Sequence, residues 1–338
     1  MAPERPPAPR PDLGGYALVI LAAFCYSTLG VFVKIAFREG MDLGPLLLTR
    51  FVLAAAILWG LVLASPRLRA EALAASGRRR WLFLWGVTGL AGQAALFFGA
   101  LRFIPASLAE VLLYTCPAFL AIILWVRTRR RPRAAILAAI ALALVGTWLV
   151  AAPAGGSVPA VGIALGLGAG LWFASFVLAL EGASAGVQPI VSTTFVVTGA
   201  AAAYLLVVPL ALGWTLPPTG AAWGAVLGMV LTATLFGFTF FVIGMRRTGS
   251  QVAAVLSTFE PVGTLLLAAV VLGERFAAAQ WMGTALVLGA AFVLAVRPGG
   301  AGAAAGAAAS AGAAASAGAA TSASARAHRP IDPSEPAA

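Results

Sequence analysis

The chain has 338 residues, 61% of them apolar and 10% charged, with a formal net charge of +11 and a mean hydropathy of +0.98. Soluble domains carry roughly 25% charged residues, so this composition excludes an ordinary soluble enzyme and describes a chain that lives in a bilayer. Its single histidine, His328, stands in the terminal tail, which removes imidazole catalysis and histidine-rich metal sites; no cofactor or metal is expected.

Residues 1–12, MAPERPPAPRPD, are proline-rich and read as a disordered N-terminus. From residue 13 to 297 the chain runs through ten apolar stretches, about 14–37, 44–64, 82–101, 105–126, 134–151, 159–180, 189–212, 220–245, 250–272 and 278–296. Each is long enough to cross a hydrocarbon core of about 30 Å as a helix. The first is too long for a signal-peptide core and reads as a retained span. Cys25 and Cys116 both fall inside spans and read as buried thiols. Residues 298–338 form an alanine-, glycine- and serine-rich tail in which nothing large and apolar is present to pack, so it reads as disordered.

Basic residues set the orientation. Arg5, Arg10, Arg67, Arg69, Arg78, Arg79, Arg80, Arg127, Arg129, Arg130, Arg131, Arg133, Arg246, Arg247, Arg297, Arg326 and Arg329 fall on the side of the N-terminus, against Arg38, Arg102 and Arg275 on the other. Such a bias places both termini in the cytoplasm. The net charge is then a topology signal and a contact for anionic lipid headgroups, not a nucleic-acid footprint. Tryptophans, Trp59 among them, fall near span ends, where amphipathic rings prefer the interface; Trp172 is the exception, in the middle of the sixth span.

Few polar groups interrupt the spans, and a charge at the bilayer centre costs about 2.5–3.5 kcal/mol on insertion scales, so each needs a purpose or a partner. Glu110 lies on the fourth span, Arg50 on the second and Lys34 on the first, at a depth that makes a Glu110 pair with Arg50 or Lys34 the expected arrangement, structural or gating. Tyr114 and Pro117 share a helix stripe with Glu110. Glu260, about 15 Å from the start of the ninth span at 1.5 Å per residue, precedes Pro261 and has no lysine or arginine expected at its level. Pro117 and Pro261 are expected to kink their helices. Ser27, Gln93, Trp172, Ser175, Thr232 and Thr239 are candidates to line a cavity, each with packing or backbone hydrogen bonding as the alternative. Gly86, Gly89 and Gly92, and Gly162, Gly166 and Gly170, read as close helix packing.

Residues 100–150 align without gaps onto 244–294, placing Arg102 on Arg246 and Pro117 on Pro261, while Phe24-Cys25-Tyr26-Ser27 matches Trp172-Phe173-Ala174-Ser175. Five spans per half is an odd number, so the second half would sit inverted relative to the first, with a site at the midplane between them. LSTFEPVGTLLLAAVVLGERF and ALRFIPASLAEVLLYTCPAF resemble the characteristic runs of the EamA family in the drug/metabolite transporter superfamily, and the likeness covers 13–297. The resemblance implies an all-α membrane fold of ten helices in two inverted repeats, 13–152 and 153–297, around a central cavity. It falls on Tyr114, Pro117, Glu260, Pro261, Gly273, Glu274 and Arg275, the last two read as structural charges. Arg127-Thr128-Arg129 stands where the first repeat would repeat Gly-Glu-Arg, and Glu110 stands where the pattern is apolar.

The implied function is secondary transport, as an exporter, of small organic metabolites, amino acids or drugs across the inner or plasma membrane. No Gly-Lys-Ser/Thr phosphate loop appears, so the chain is not ATP-driven by itself. Protons are a candidate coupling ion, with Glu260 the acid that would carry them; a direct contact to substrate and a purely structural role are the alternatives. A lipid or lipid-linked sugar flippase of the same fold remains open, and an intramembrane lipid-modifying enzyme is disfavoured because the spans hold no histidine. Substrate identity and oligomeric state are left open.

Overall fold

The computed structural model describes residues 12–100, 103–104, 109, 112–150, 159–211, 213–272 and 278–296. The terminal segments, Glu110 and the Gly273-Glu274-Arg275 triplet lie outside the described residues, as does the Lys34 side chain.

Helices account for the described chain, and no strand occurs among these residues. The order is α1 (Leu13–Arg38), α2 (Leu43–Ala64), α3 (Pro66–Ala74), α4 (Ser76–Trp85), a π-helical segment (Gly86–Leu90), α5 (Ala91–Ala100), α6 (Cys116–Thr128), α7 (Ala134–Val150), α8 (Ala160–Ser184) and α9 (Pro189–Ala211). Then come α10 (Gly220–Met229), a second π-helical segment (Val230–Gly237), α11 (Phe238–Thr248), α12 (Ser250–Leu256), α13 (Phe259–Leu272) and α14 (Ala278–Val296). Five stretches are long and apolar enough to cross a membrane: Leu13–Arg38, Leu43–Ala64, Ala160–Ser184, Pro189–Ala211 and the continuous Gly220–Thr248.

The ends of these helices follow from their capping residues. Asp12 Oδ1 accepts the Gly15 N–H at 3.0 Å to open α1, Thr219 Oγ1 accepts that of Ala222 at 3.1 Å to open α10, and Gln188 Oε1 accepts that of Val191 at 3.1 Å to open α9. Each satisfies a donor that has no partner inside its own helix. The short α3, which the hydropathy pattern does not show, is opened by Ser65 as N-cap with Pro66 in the first turn.

Contacts between helices are reciprocal. α1 packs against α10, the second π segment, α11 and α13, while α8 packs against α4, the first π segment, α5 and α6. α2 pairs with α9, and α7 with α14. Glycines permit the closest crossings. A Cβ on Gly199 would stand 2.1 Å from the Phe83 carbonyl oxygen, and one on Gly86 would stand 2.1 Å from that of Val196, so α4 and α9 touch backbone to backbone. Gly162, Gly166 and Gly170 lie against Ile104, Leu112 and Thr115 in the same manner. Gly89 lies against Phe176, and Gly92 against the Trp172 indole. Without a hydrophobic force between helices in lipid, this intimacy is what van der Waals packing requires.

Neither Pro117 nor Pro261 stands in the interior of a helix. Pro117 sits in the first turn of α6, behind a turn at 114–115, and Pro261 in the first turn of α13, behind a turn at 257–258. The expected kinks are therefore outright breaks. Proline lacks the N–H that would continue a preceding helix but is well suited to begin one. Ser257 and Thr258 donate their hydroxyls to the carbonyls of Ala253 and Val255 at 2.9 and 2.6 Å, and Thr115 donates to Leu112 at 2.6 Å. The broken turns thus satisfy some of their own carbonyls. Gln251, buried at the start of α12, donates Nε2 to the Pro117 carbonyl at 2.9 Å and ties one broken span to the other.

Trp59, near the end of α2, turns toward α9. Its Nε1 donates to Thr198 Oγ1 at 2.9 Å and its ring meets Phe195 edge-on at 5.5 Å, because α9 offers a hydroxyl and a ring inside the bundle that satisfy both ends of the indole.

Candidate functional site

The two π-helical segments position the polar groups of the interior. Opening a helix to i→i+5 spacing inserts a residue and leaves backbone groups with altered partners, and such turns recur at functional sites. Val230 stands 144 residues after Gly86, the same offset that brings residues 100–150 onto 244–294. Each is gripped by a long helix from the other half. Trp172 of α8 donates its indole N–H to the Thr88 carbonyl in the first segment at 2.9 Å. Thr28 of α1 lies 2.7 Å from Thr232 in the second, hydroxyl to hydroxyl, while Thr232 donates onward to the Gly228 carbonyl at 2.8 Å.

Arg50 enters this framework from α2. Its Nε donates to Thr234 Oγ1 at 2.9 Å, and Thr234 in turn reaches the Met229 carbonyl five residues back at 3.4 Å. The guanidinium carbon stands 4.9 Å from the centroid of the Phe51 ring, and Phe51 stacks on Tyr204 of α9 with centroids 5.4 Å apart and planes 4° from parallel. A cation over an aromatic face and a charged hydrogen bond are two of the means by which an apolar interior tolerates an arginine.

Tyr26 of α1, Tyr204 of α9 and Glu260 of α13 all act electrostatically on Arg50, and Glu260 acts on Tyr26 as well. Arg50 and Glu260 are thus within electrostatic range of each other. The long Arg50 side chain extends from α2 to the second π segment, a reach that counting residues per helix misses. Tyr26, Tyr204 and Thr234 were not candidates from sequence. A tyrosine on an apolar span reads as packing until its neighbours are known, and Thr234 gains its meaning only from Arg50 on another helix. Tyr204 Oη is buried and has no hydrogen-bond partner among the described residues.

Beside Tyr204 lies a cavity of about 600 Å³, lined by Asp42, Leu43, Pro45 and Leu47 of the α2 entry, Ala95 and Gly99 of α5, and Val207 and Val208 of α9 among others. At the opposite end of the bundle, polar contacts tie the helix ends together. Arg246 donates to the Val187 carbonyl at 2.6 Å, Arg78 donates to the carbonyls of Gly182 and Ala185, and Glu181 accepts the Ser250 N–H at 3.2 Å.

The remaining sequence candidates are dispersed. Ser27, next to Tyr26 in the chain, is buried, bonded to the Phe24 carbonyl at 2.7 Å and pressed against Gly263 of α13. Ser175 is bonded back to Leu171 at 3.0 Å, and Thr239 donates to Thr193 at 3.4 Å. Gln93 is half-buried on α5, and Tyr114 is buried at the break before α6. Trp172, 42% exposed, is occupied by Thr88. The expected partner of Arg50 or Lys34, Glu110, lies outside the described residues, as do Glu274 and Arg275.

The model of the EamA-like transporter family matches this chain twice, over residues 13–152 and 160–296. The chain is 28% identical to the uncharacterized transporter YwfM of Bacillus subtilis over 207 residues, which is 60% of this chain and 69% of that protein. It is 25% identical to the uncharacterized inner membrane transporter YicL of Salmonella typhimurium over 223 residues, 64% of this chain and 72% of that protein. A solved crystal structure superposes with a TM-score of 0.68 at 24% identity, covering 85% of this chain and 98% of that one, and shares the fold.

Proposed function

Because the chain belongs to the EamA-like transporter family and is a multi-pass membrane transporter, we propose that it exports small organic metabolites across the cell membrane by alternating access, through a site at Arg50, Tyr26, Tyr204, Thr234 and Glu260. The observation that carries this reading is Arg50 of α2, bonded to Thr234 of the second π segment and set beside the Phe51–Tyr204 stack, with Tyr26 of α1 and Glu260 of α13 within its electrostatic range, in an otherwise apolar bundle. Intramembrane ionisable groups are costly, and a transport pathway is the usual reason to keep them.

Ten spans in two inverted repeats complete the proposal. The paired π segments, the breaks before Pro117 and Pro261 and the reciprocal helix contacts support it, since an inverted repeat demands that each feature occur once in each half. Both termini are cytoplasmic, so the arginine-tied end faces the cytoplasm and the cavity beside Tyr204 opens outward. Glu260 carries a proton as coupling ion. The test is flux of a labelled solute panel in proteoliposomes, with and without a pH gradient. Glu260→Gln is expected to insert normally and keep solute exchange while losing gradient-driven transport; full gradient-driven transport by the folded variant rules the coupling out.

A further inference from the structure

We propose that α12 is the gate at the cytoplasmic end of the transport path, a short helix hinged at both ends that Glu181 and Gln251 hold shut. The inference rests on the transporter reading and names its moving part.

Three observations lead to it. The first is how α12 is joined to its neighbours. Its seven residues make a rod of about 10 Å at 1.5 Å per residue. Gly249 separates it from α11 at φ +84° and ψ 155°, outside helical geometry, and the turn at 257–258 separates it from α13. With the ladder of hydrogen bonds interrupted on both sides, the rod can swing without bending either neighbour. The second is where it lies. All seven residues are buried, and α12 packs against α1, α6 and α7 of the first half and α8, α11 and α14 of the second. It therefore plugs the seam between the halves, on the side of Arg246 and Arg247. The third is what holds it. Glu181 Oε1, in the last turn of α8, accepts the Ser250 N–H at 3.2 Å, a first-turn donor with no partner inside its own helix. Gln251 Nε2 donates to the Pro117 carbonyl at 2.9 Å, so one bond comes from each half. Gln251 Oε1 is buried without a partner among the described residues. An unpaired buried acceptor is a cost that displacement toward water removes, and the closed position thus carries its own bias to open.

Each end of the rod is tied to something larger. Arg246 of α11 bonds to the Val187 carbonyl at 2.6 Å and Arg78 of α4 to those of Gly182 and Ala185, so the α8–α9 turn beside Glu181 is pinned from two helices. At the other end, the Ser257 carbonyl accepts the Glu260 N–H at 3.0 Å. A swing of α12 moves Ser257 and, through that bond, Glu260. Cytoplasmic opening is in this way linked to the acid that carries the proton in the transport reading. Glu181 and Gln251 are positioning residues for transport, acting through α12.

The test uses the full-length protein with Cys25→Ala and Cys116→Ala. Val255→Cys puts a reporter inside α12, where the native side chain is 1% exposed, and Val226→Cys puts a second at a fully buried position on α10, away from the rod. Membrane vesicles of either orientation are treated with a membrane-impermeant sulfonated maleimide. Val255→Cys is expected to react slowly, and from the cytoplasmic face. Glu181→Ala and Gln251→Leu should each speed that reaction about tenfold, the loss of one hydrogen bond, and leave Val226→Cys protected. Glu181→Gln keeps an acceptor oxygen for the Ser250 N–H and should keep the slow rate. Unchanged labelling in both Glu181→Ala and Gln251→Leu, equal acceleration at Val226→Cys, or reaction from the outer face alone would each overturn the gate. Flux of the labelled solute panel in proteoliposomes separates this result from the transporter reading. Faster labelling with no flux of any solute in any variant sinks transport and leaves a moving helix, whereas solute flux with labelling unchanged does the reverse.

Discussion

Gly249 is the residue on which the passage from α11 to α12 depends. It is the one residue between Thr248 and Ser250, and it reverses the chain at φ +84° and ψ 155°. That region is essentially closed to side chains, at a cost of about 1–3 kcal/mol. Gly249→Ala is therefore expected to lower stability by about that amount, read as a reduced unfolding midpoint in mild detergent; an unchanged midpoint would show that the turn relaxes freely. The arginines around it fare differently. Arg246 and Arg78 bond to carbonyls at the α8–α9 turn, where α8 ends with unpaired acceptors and a partial negative charge. Their presence at this end of the bundle was legible as a run of basic residues. Their acceptors were not, because a backbone carbonyl leaves no trace in a sequence. The same asymmetry governs the candidate site. Arg50 and Glu260 announce themselves as charges in apolar spans, whereas Tyr26, Tyr204 and Thr234 acquire a role only once five separate elements have been brought together.

Broken and opened helices are the elements that set this bundle apart from a plain stack of spans. Both prolines were visible as interruptions, but proline chemistry alone does not distinguish a kink from a break. The intervening turns at 114–115 and 257–258 decide that, and they draw on threonine and serine hydroxyls whose bonds are local. The π segments carry no composition signature at all; GVTGL and VLTATLFG read as ordinary apolar helix. What the glycines do show is where helices must meet. Gly86 was expected to mark close packing, whereas its counterpart on α9, Gly199, stands alone in its span and was not singled out. Gly199→Leu would drive a side chain into the Phe83 carbonyl at 2.1 Å and force α9 away from α4. Overpacking of this kind costs about 1–3 kcal/mol or more, and the variant should lose monodisperse protein on size-exclusion chromatography; wild-type yield and elution would contradict the crossing.

At the scale of the whole molecule, the five long apolar helices were readable because a span must be long and apolar wherever it occurs, and that constraint acts on each segment separately. Pairing between segments is a different matter, since lipid-exposed and helix-facing residues are equally apolar. The reciprocal grip on the two π segments has a consequence for how such a chain can be divided. Thr88 of the first half gives its carbonyl to Trp172 of the second, and Thr232 of the second half meets Thr28 of the first. Each half thus carries into the bilayer an opened turn to which the other half supplies a polar partner, in the manner of two strands of an interlocking clasp. Fragments 1–152 and 153–338, produced from separate genes in one cell, are expected to associate and co-purify, while either fragment produced alone is degraded. Stable accumulation of one fragment by itself would mean that a half completes its own turn.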